Sequence, residues 1–244
     1  MTQHGWIRRL LGRHLLPLAA LGGVLFSLTA YQTVGQIRQA VTPTVKPIGL
    51  ILIDPGHGGA DGGASGVADG QTVQEKDVNL AIGTGLAELL RILGFEVRMT
   101  REDDRSIHDA SAGSLREQKV SDMHNRLAMY NQASLVISIH QNQFPQAQYH
   151  GTQVFYAPLN SDSKRLGESI RANVIALLQP QNTRELKKGE KSLYLLSNAT
   201  PPTALVECGF LSNPEECAKL NNADYRRQMA FAVAGGLLQY LSET

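Results

Sequence analysis

The sequence predicts an α/β domain built on one twisted, mostly parallel or mixed sheet with helices on both faces. Three observations carry that expectation. Short runs rich in Ile, Val and Leu alternate with longer segments whose apolar residues recur every three or four positions. The helical segments are long enough to serve as crossovers between strands. Three of the short runs also end in a residue suited to metal chemistry, and open α/β sheets place their ligand sites at the carboxyl ends of strands.

The elements follow in order. Arg8, Arg9 and Arg13 precede an uncharged, mostly apolar run from Leu15 to Tyr31. A basic flank before such a stretch reads as an export signal or a signal anchor, at the short end of the roughly 17 to 25 residues that span a bilayer. No clean A-x-A site follows, since Leu28 falls at −3 if Ala30 is −1, which favours an uncleaved anchor over secretion. Residues 1–31 are therefore expected to be a cytoplasmic basic flank and membrane anchor, with the remainder outside the cytoplasm. Residues 32–47, polar and containing Pro43 and Pro47, read as a linker, and residues 48–244 as the folded domain.

Within the domain, Gly49–Ile53 reads as a strand leading into Asp54, followed by a glycine-rich loop over 56–70. Val78, Ile82, Leu86, Leu89 and Leu93 mark one face of a helix that Gly94 stops. Phe95–Thr100 reads as a strand, 101–114 as a surface loop, 116–131 as a helix, and Leu135–Ile139 as a strand ending at His140. Strands are expected over 151–157, near Leu193–Leu196, and from Ala204 to Glu207; a helix is expected over 161–179. Asn213-Pro214-Glu215-Glu216 is a helix start, with Asn at the N-cap and Pro at N1. The last helix carries Tyr225, Met229, Val233 and Leu237 as its inner stripe.

Composition narrows the function. With 42% hydrophobic and 18% charged residues the chain is globular rather than disordered. A net charge of +1 offers no basic face for nucleic acid. Two cysteines, Cys208 and Cys217, with no CxxC pair, exclude a disulfide framework and a cysteine zinc site. Cys208 follows Glu207 on a strand, so it is expected on the opposite face as a small buried hydrophobe.

Four residues carry the chemistry. His57 lies among glycines that leave it no apolar surroundings, and the loop fits neither a P-loop nor GxGxxG, because Asp61 occupies the last glycine position. Glu75 opens a helix, where it is either a metal ligand or an acid compensating the helix dipole. His140 ends an apolar strand, as a ligand or a satisfied structural histidine. Glu207 sits in an apolar strand, where a carboxylate is costly without a compensating metal or a proton-transfer role. His108, His124 and His150 lie in polar surroundings and read as solvated. Two imidazoles with one or two carboxylates read as a hydrolytic zinc site, although a non-haem iron oxygenase triad uses a similar set.

Four blocks decide among these: Asp54-Pro55-Gly56-His57-Gly58-Gly59, Glu75–Leu80, Ile137–Asn142 and Leu205–Pro214. In this order they resemble the zinc-dependent N-acetylmuramoyl-L-alanine amidases of the Amidase_3 type, over roughly residues 48 to 243, with a zinc carboxypeptidase acting on peptidoglycan stem peptides as the alternative that such a substrate leaves open. The resemblance implies Zn2+ held by His57, Glu75 and His140, with Glu207 as the catalytic carboxylate and Asn142 helping to orient substrate. The segments Ser114–Leu127 and Lys191–Leu196 are similar to the sporulation subgroup, which strips peptides from cortex peptidoglycan so that muramic δ-lactam can form before germination. Cys208 departs from the pattern, where a small or aliphatic residue is expected. The partners expected are glycan strands with their stem peptides, the membrane through the anchor, and an accessory protein.

Overall fold

The first strand, β1 (Ile51–Pro55), has every residue buried, and two parallel strands flank it. The computed structural model describes residues 48–243; the expected basic flank, anchor and linker lie outside the described residues. Among those described, no helix is long and apolar enough to cross a membrane. The main sheet contains β4 (Val97–Met99), β1, β5 (Leu135–Asn142), β8 (Thr203–Phe210), β6 (Gln153–Tyr156) and β7 (Lys187–Lys188), in that order. The pairs β4–β1, β1–β5, β5–β8 and β6–β7 are parallel, and β6–β8 is antiparallel, so the sheet is mixed. The three strands whose ends carry the candidate residues are thus neighbours.

Side-chain alternation divides the interior in two. Ile51, Ile53, Leu135, Ile137, Ile139, Ala204, Val206 and Cys208 enter the larger core. The long helices α1 (Glu75–Ile92), α3 (Asp162–Leu177) and α6 (Ala223–Ser242) pack on this face. Leu52, Val136 and Leu205 point the other way, onto α2 (Leu115–Tyr130) and α4 (Tyr194–Asn198). Continuing along that second face, the same alternation brings up Asp54, Ser138, His140 and Glu207. The apolar floor therefore gives way to polar groups as the strands approach their carboxyl ends.

Local chemistry sets the boundaries. Ser114 and Glu117 form a reciprocal capping box at the start of α2. Asn213 accepts from Glu216 N at 3.0 Å to open α5 (Pro214–Asn221). Gly94, at φ 91°, ends α1 in the left-handed conformation. The buried stripe of α1 runs through Val78, Ile82, Leu86 and Leu90; Leu93 turns outward.

Two expectations are corrected. Residues 194–198 form a helix rather than a strand near 193–196, because a helical turn brings Leu193, Leu196 and Ala199, three apart, onto the second core. The sheet edge instead ends at β7. The glycine-rich loop also contains structure: β2 (Ser65–Ala68) and β3 (Gln71–Gln74) pair antiparallel around Asp69 and Gly70, both at positive φ.

Candidate metal centre

His57, Glu75 and His140 come together from a loop, a helix start and a strand end, each offering one ligand atom within 4.8 Å of the others. Glu75 is the hub. Its Oε1 lies 3.2 Å from His57 Nε2 and 2.9 Å from His140 Nδ1, and accepts from Gln141 N at 3.1 Å. Its Oε2 accepts from Ala64 N at 2.7 Å. Only 3% exposed, the carboxylate reaches inward from the first residue of α1. Burial opposes its charge, but the two imidazoles prevail and hold it well below the usual carboxylate range.

His57 has φ 63°, a conformation that L-residues adopt only when their surroundings impose it. Here two arginines impose it, each 2% exposed. Arg101 donates to Pro55 O at 2.9 Å and to Gly56 O at 3.0 Å; Arg126 donates to Pro55 O at 3.1 Å and to His57 O at 2.8 Å. Asn79 adds a bond to Gly56 O at 3.1 Å. Three consecutive carbonyls are therefore held by buried donors. Arg126 is itself paired with fully buried Asp54 and with Asp122. Asp54 also accepts from Thr100, Tyr130 and Ser138. Burial alone would raise the Asp54 carboxyl, but Arg126 and the Tyr130 hydroxyl outweigh it, lowering it to about 2.

Asp61 fixes the tautomer of His57. Its Oδ2 lies 3.0 Å from Nδ1, which must donate to a carboxylate, so Nε2 faces Glu75. Burial pulls the imidazole down, yet bonds to Asp61 and Glu75 raise it to about 9. Two glycines make room: a Cβ at Gly56 would lie 2.1 Å from the His140 ring, and one at Gly63 would lie 2.5 Å from Glu75 Oε2.

Glu207 is the register partner of His140 on the adjacent strand. Its Oε2 is sealed from solvent and has no hydrogen-bond partner among the described residues. Burial, partly offset by His140 and reinforced by Glu75, pushes the carboxyl up to about 7. Asn142 ends β5 and uses Oδ1 to accept from Gln143 N at 2.9 Å. Cys208 is fully buried in the larger core, with its thiol pushed up by burial, consistent with an inert packing role. A cleft of about 480 Å3 opens beside His57 and His140, walled by Val120, Met123, Tyr194 and Leu195.

The donor set fits a divalent cation: two imidazoles and one carboxylate converge, and an unengaged carboxylate stands next to them. Such a site at the carboxyl edge of an α/β sheet, with a free-standing carboxylate beside it, suits a metal-dependent hydrolase. The chain belongs to the Amidase_3 family, N-acetylmuramoyl-L-alanine amidase, whose profile matches residues 51–239. It is 35% identical over 196 residues to the germination-specific N-acetylmuramoyl-L-alanine amidase of Bacillus subtilis, covering 80% of each chain. Among solved structures it is similar to the CwlD amidase from Clostridioides difficile in complex with the GerS lipoprotein, with TM-score 0.74, 36% identity, and coverage of 80% of this chain and 100% of that one. AmiC2 of Nostoc punctiforme gives TM-score 0.63 and 30% identity, over 80% of this chain and 97% of that one. The enzyme class is thus N-acetylmuramoyl-L-alanine amidase.

Sequence reading singled out His57, Glu75, His140 and Glu207, and the fold brings all four together. It passed over Arg101, Arg126, Asp61 and Asn79. Arg126 and Tyr130, four apart, are the buried residues of the otherwise polar α2, a spacing visible in the sequence.

Proposed function

We propose that the chain is a zinc-dependent amidase of spore cortex peptidoglycan, cleaving the bond between the lactyl group of N-acetylmuramic acid and L-alanine. The observation that carries this is the convergence of His57, Glu75 and His140 beside the unpartnered oxygen of Glu207. His57, Glu75 and His140 hold the metal, with Asp61 orienting His57. Bound zinc supplies Lewis acidity, making water more acidic and the scissile carbonyl more electrophilic.

Glu207 takes a proton from the attacking water as its oxygen bonds to the lactyl carbon. The same carboxyl then delivers the proton to the L-alanine nitrogen as the C–N bond breaks. A buried carboxylate oxygen with no hydrogen-bond partner among the described residues is placed to serve as acceptor and donor in turn. Asn142 orients the substrate through its side-chain amide.

The cortex assignment is supported by the likeness to the germination-specific enzyme of Bacillus subtilis. In this reading the N-terminal anchor holds the catalytic domain outside the cytoplasm. An accessory protein is a further partner, by analogy with the structure that holds the GerS lipoprotein.

The test is digestion of purified cortex and vegetative peptidoglycan, with and without a chelator, followed by mass spectrometry. Release of intact stem peptides with a free L-alanine amine, abolished by chelation, is the expected result. Loss of only a terminal residue from stems still attached to sugar would overturn the reading in favour of a carboxypeptidase.

A further inference from the structure

The pairing of β5 with β8 slips at the catalytic edge. His140 faces Glu207 and Asn142 faces Phe210, two residues against three, so β8 carries one extra residue. The extra residue breaks the alternation that would send Phe210 after Val206 and Cys208 into the larger core, and Phe210 belongs to neither core. It lies fully buried under its own cap instead, with ring centroids 5.7 Å from Phe144 and 6.4 Å from Tyr149. Phe144 and Tyr149 are 5.2 Å apart, and the Arg184 guanidinium lies 4.5 Å from the Phe210 ring centre.

The chain has only 7 Tyr, 6 Phe and 1 Trp, and three of these meet here. Phe144 is 45% exposed and Tyr149 40%. The loop that carries them is held in place: Phe144 N donates to Ser212 Oγ at 3.0 Å, and Asn213 Nδ2 donates to Ala147 O at 2.8 Å. Arg184 Nε donates to His150 O at 2.7 Å, which leaves its two terminal nitrogens without a hydrogen-bond partner among the described residues. The result is a preformed aromatic surface with unsatisfied donors at its margin.

The Asn142–Phe210 step lies two residues beyond His140, about 7 Å along the strand. In the proposed substrate the cleaved amide hangs from its sugar by a three-carbon lactyl arm, so a pyranose ring must sit within a few ångströms of the metal centre. The C–H face of a pyranose is apolar and packs on aromatic rings, while its hydroxyls and N-acetyl carbonyl accept hydrogen bonds from a guanidinium.

We propose that Phe144, Tyr149 and Arg184 form a sugar subsite that holds the glycan strand on the β8 side of the metal centre. This rests on the amidase reading above. Rings supply stacking, and the terminal nitrogens of Arg184 supply the polar contacts. The bulge in β8 places Phe210 as the base on which both exposed rings rest.

The probe is peptide-free glycan, alternating N-acetylglucosamine and N-acetylmuramic acid, titrated calorimetrically into the full chain. Wild-type protein is expected to bind, and the double variant Phe144→Ala/Tyr149→Ala to bind about tenfold or more weakly. Phe144→Leu, which keeps apolar bulk but loses the ring face, is expected to weaken binding as well. In turnover assays on intact peptidoglycan the double variant raises KM while kcat is retained. Equal binding by wild type and double variant overturns the proposal. So does undiminished glycan binding combined with loss of an accessory protein's binding, which would make this a protein-docking face. Peptide release by a wild-type chain that binds no glycan defeats the subsite alone; glycan binding without any peptide release defeats the amidase reading and leaves the subsite standing.

Discussion

Replacing Arg126 tests whether a buried ion pair organises the His57 turn. Arg126→Met removes the guanidinium paired with Asp54 while leaving the carboxylate fully buried, and it frees the carbonyl of His57, while Pro55 O keeps its bond from Arg101. Removing one partner of a buried pair costs about 3–5 kcal/mol, a large share of the roughly 5–15 kcal/mol that stabilises a domain. For a domain of this size that corresponds to a fall in Tm of about 10 °C. Arg126→Lys recovers about half at most, because one ammonium does not span Asp54, Asp122 and two carbonyls as a planar fork does. Urea unfolding in excess chelator reads the stability without any contribution from metal. Chelator competition then reads zinc affinity, expected to drop about tenfold or more once the His57 carbonyl is released. In a double-mutant cycle with Asp54→Asn, a coupling energy below about 0.5 kcal/mol would refute the reasoning.

Four further outcomes are expected. Glu207→Gln retains zinc but loses hydrolysis, whereas His57→Ala loses both; near-normal muropeptide turnover by Glu207→Gln contradicts the proton-transfer role. Asp61→Asn lowers zinc affinity by about 10- to 100-fold, measured by competition, because Nδ1 loses the carboxylate that sets its tautomer. Gly56→Ala abolishes zinc binding, since its Cβ would occupy the space of the His140 ring, and unchanged metal content rejects that account. Because Asp54 titrates near 2 when folded and near 3.8 when unfolded, its stabilisation is complete above pH 3.8 and disappears as pH falls towards 2. The loss amounts to about 2 kcal/mol, and unfolding curves of Asp54→Asn that keep the wild-type slope over that range rule it out.

Much of this architecture was readable in advance because the strands are continuous apolar runs and the helices keep one apolar face. The donors were readable because each stood out locally: a histidine among glycines, and a histidine and a glutamate closing apolar runs. Glu75 was not decidable from its neighbours, since an acid in a first helical turn also suits the dipole; only the four-block resemblance raised it. The hairpin at 65–74 had a signal, Asp69-Gly70, overshadowed by the surrounding glycines. Leu193–Leu196 misled because a four-residue apolar run fits a strand or a single helical turn equally, and contact with the second core decided for the helix. Arg101 and Arg126 were passed over because their partners at the His57 turn are backbone carbonyls 45 to 71 positions away in the chain, a pairing that no local pattern displays.

Glu75 has a double duty that constrains how this enzyme ages and adapts. It is both the first residue of a long helix and the pivot between the two imidazoles, so the helix terminus is not free to fray as most termini do. Whatever unwinds that turn dismantles the cation site, and whatever fills the cation site tightens the turn. Metal starvation would therefore register first as loosened backbone amides between Lys76 and Asn79, before the sheet yields.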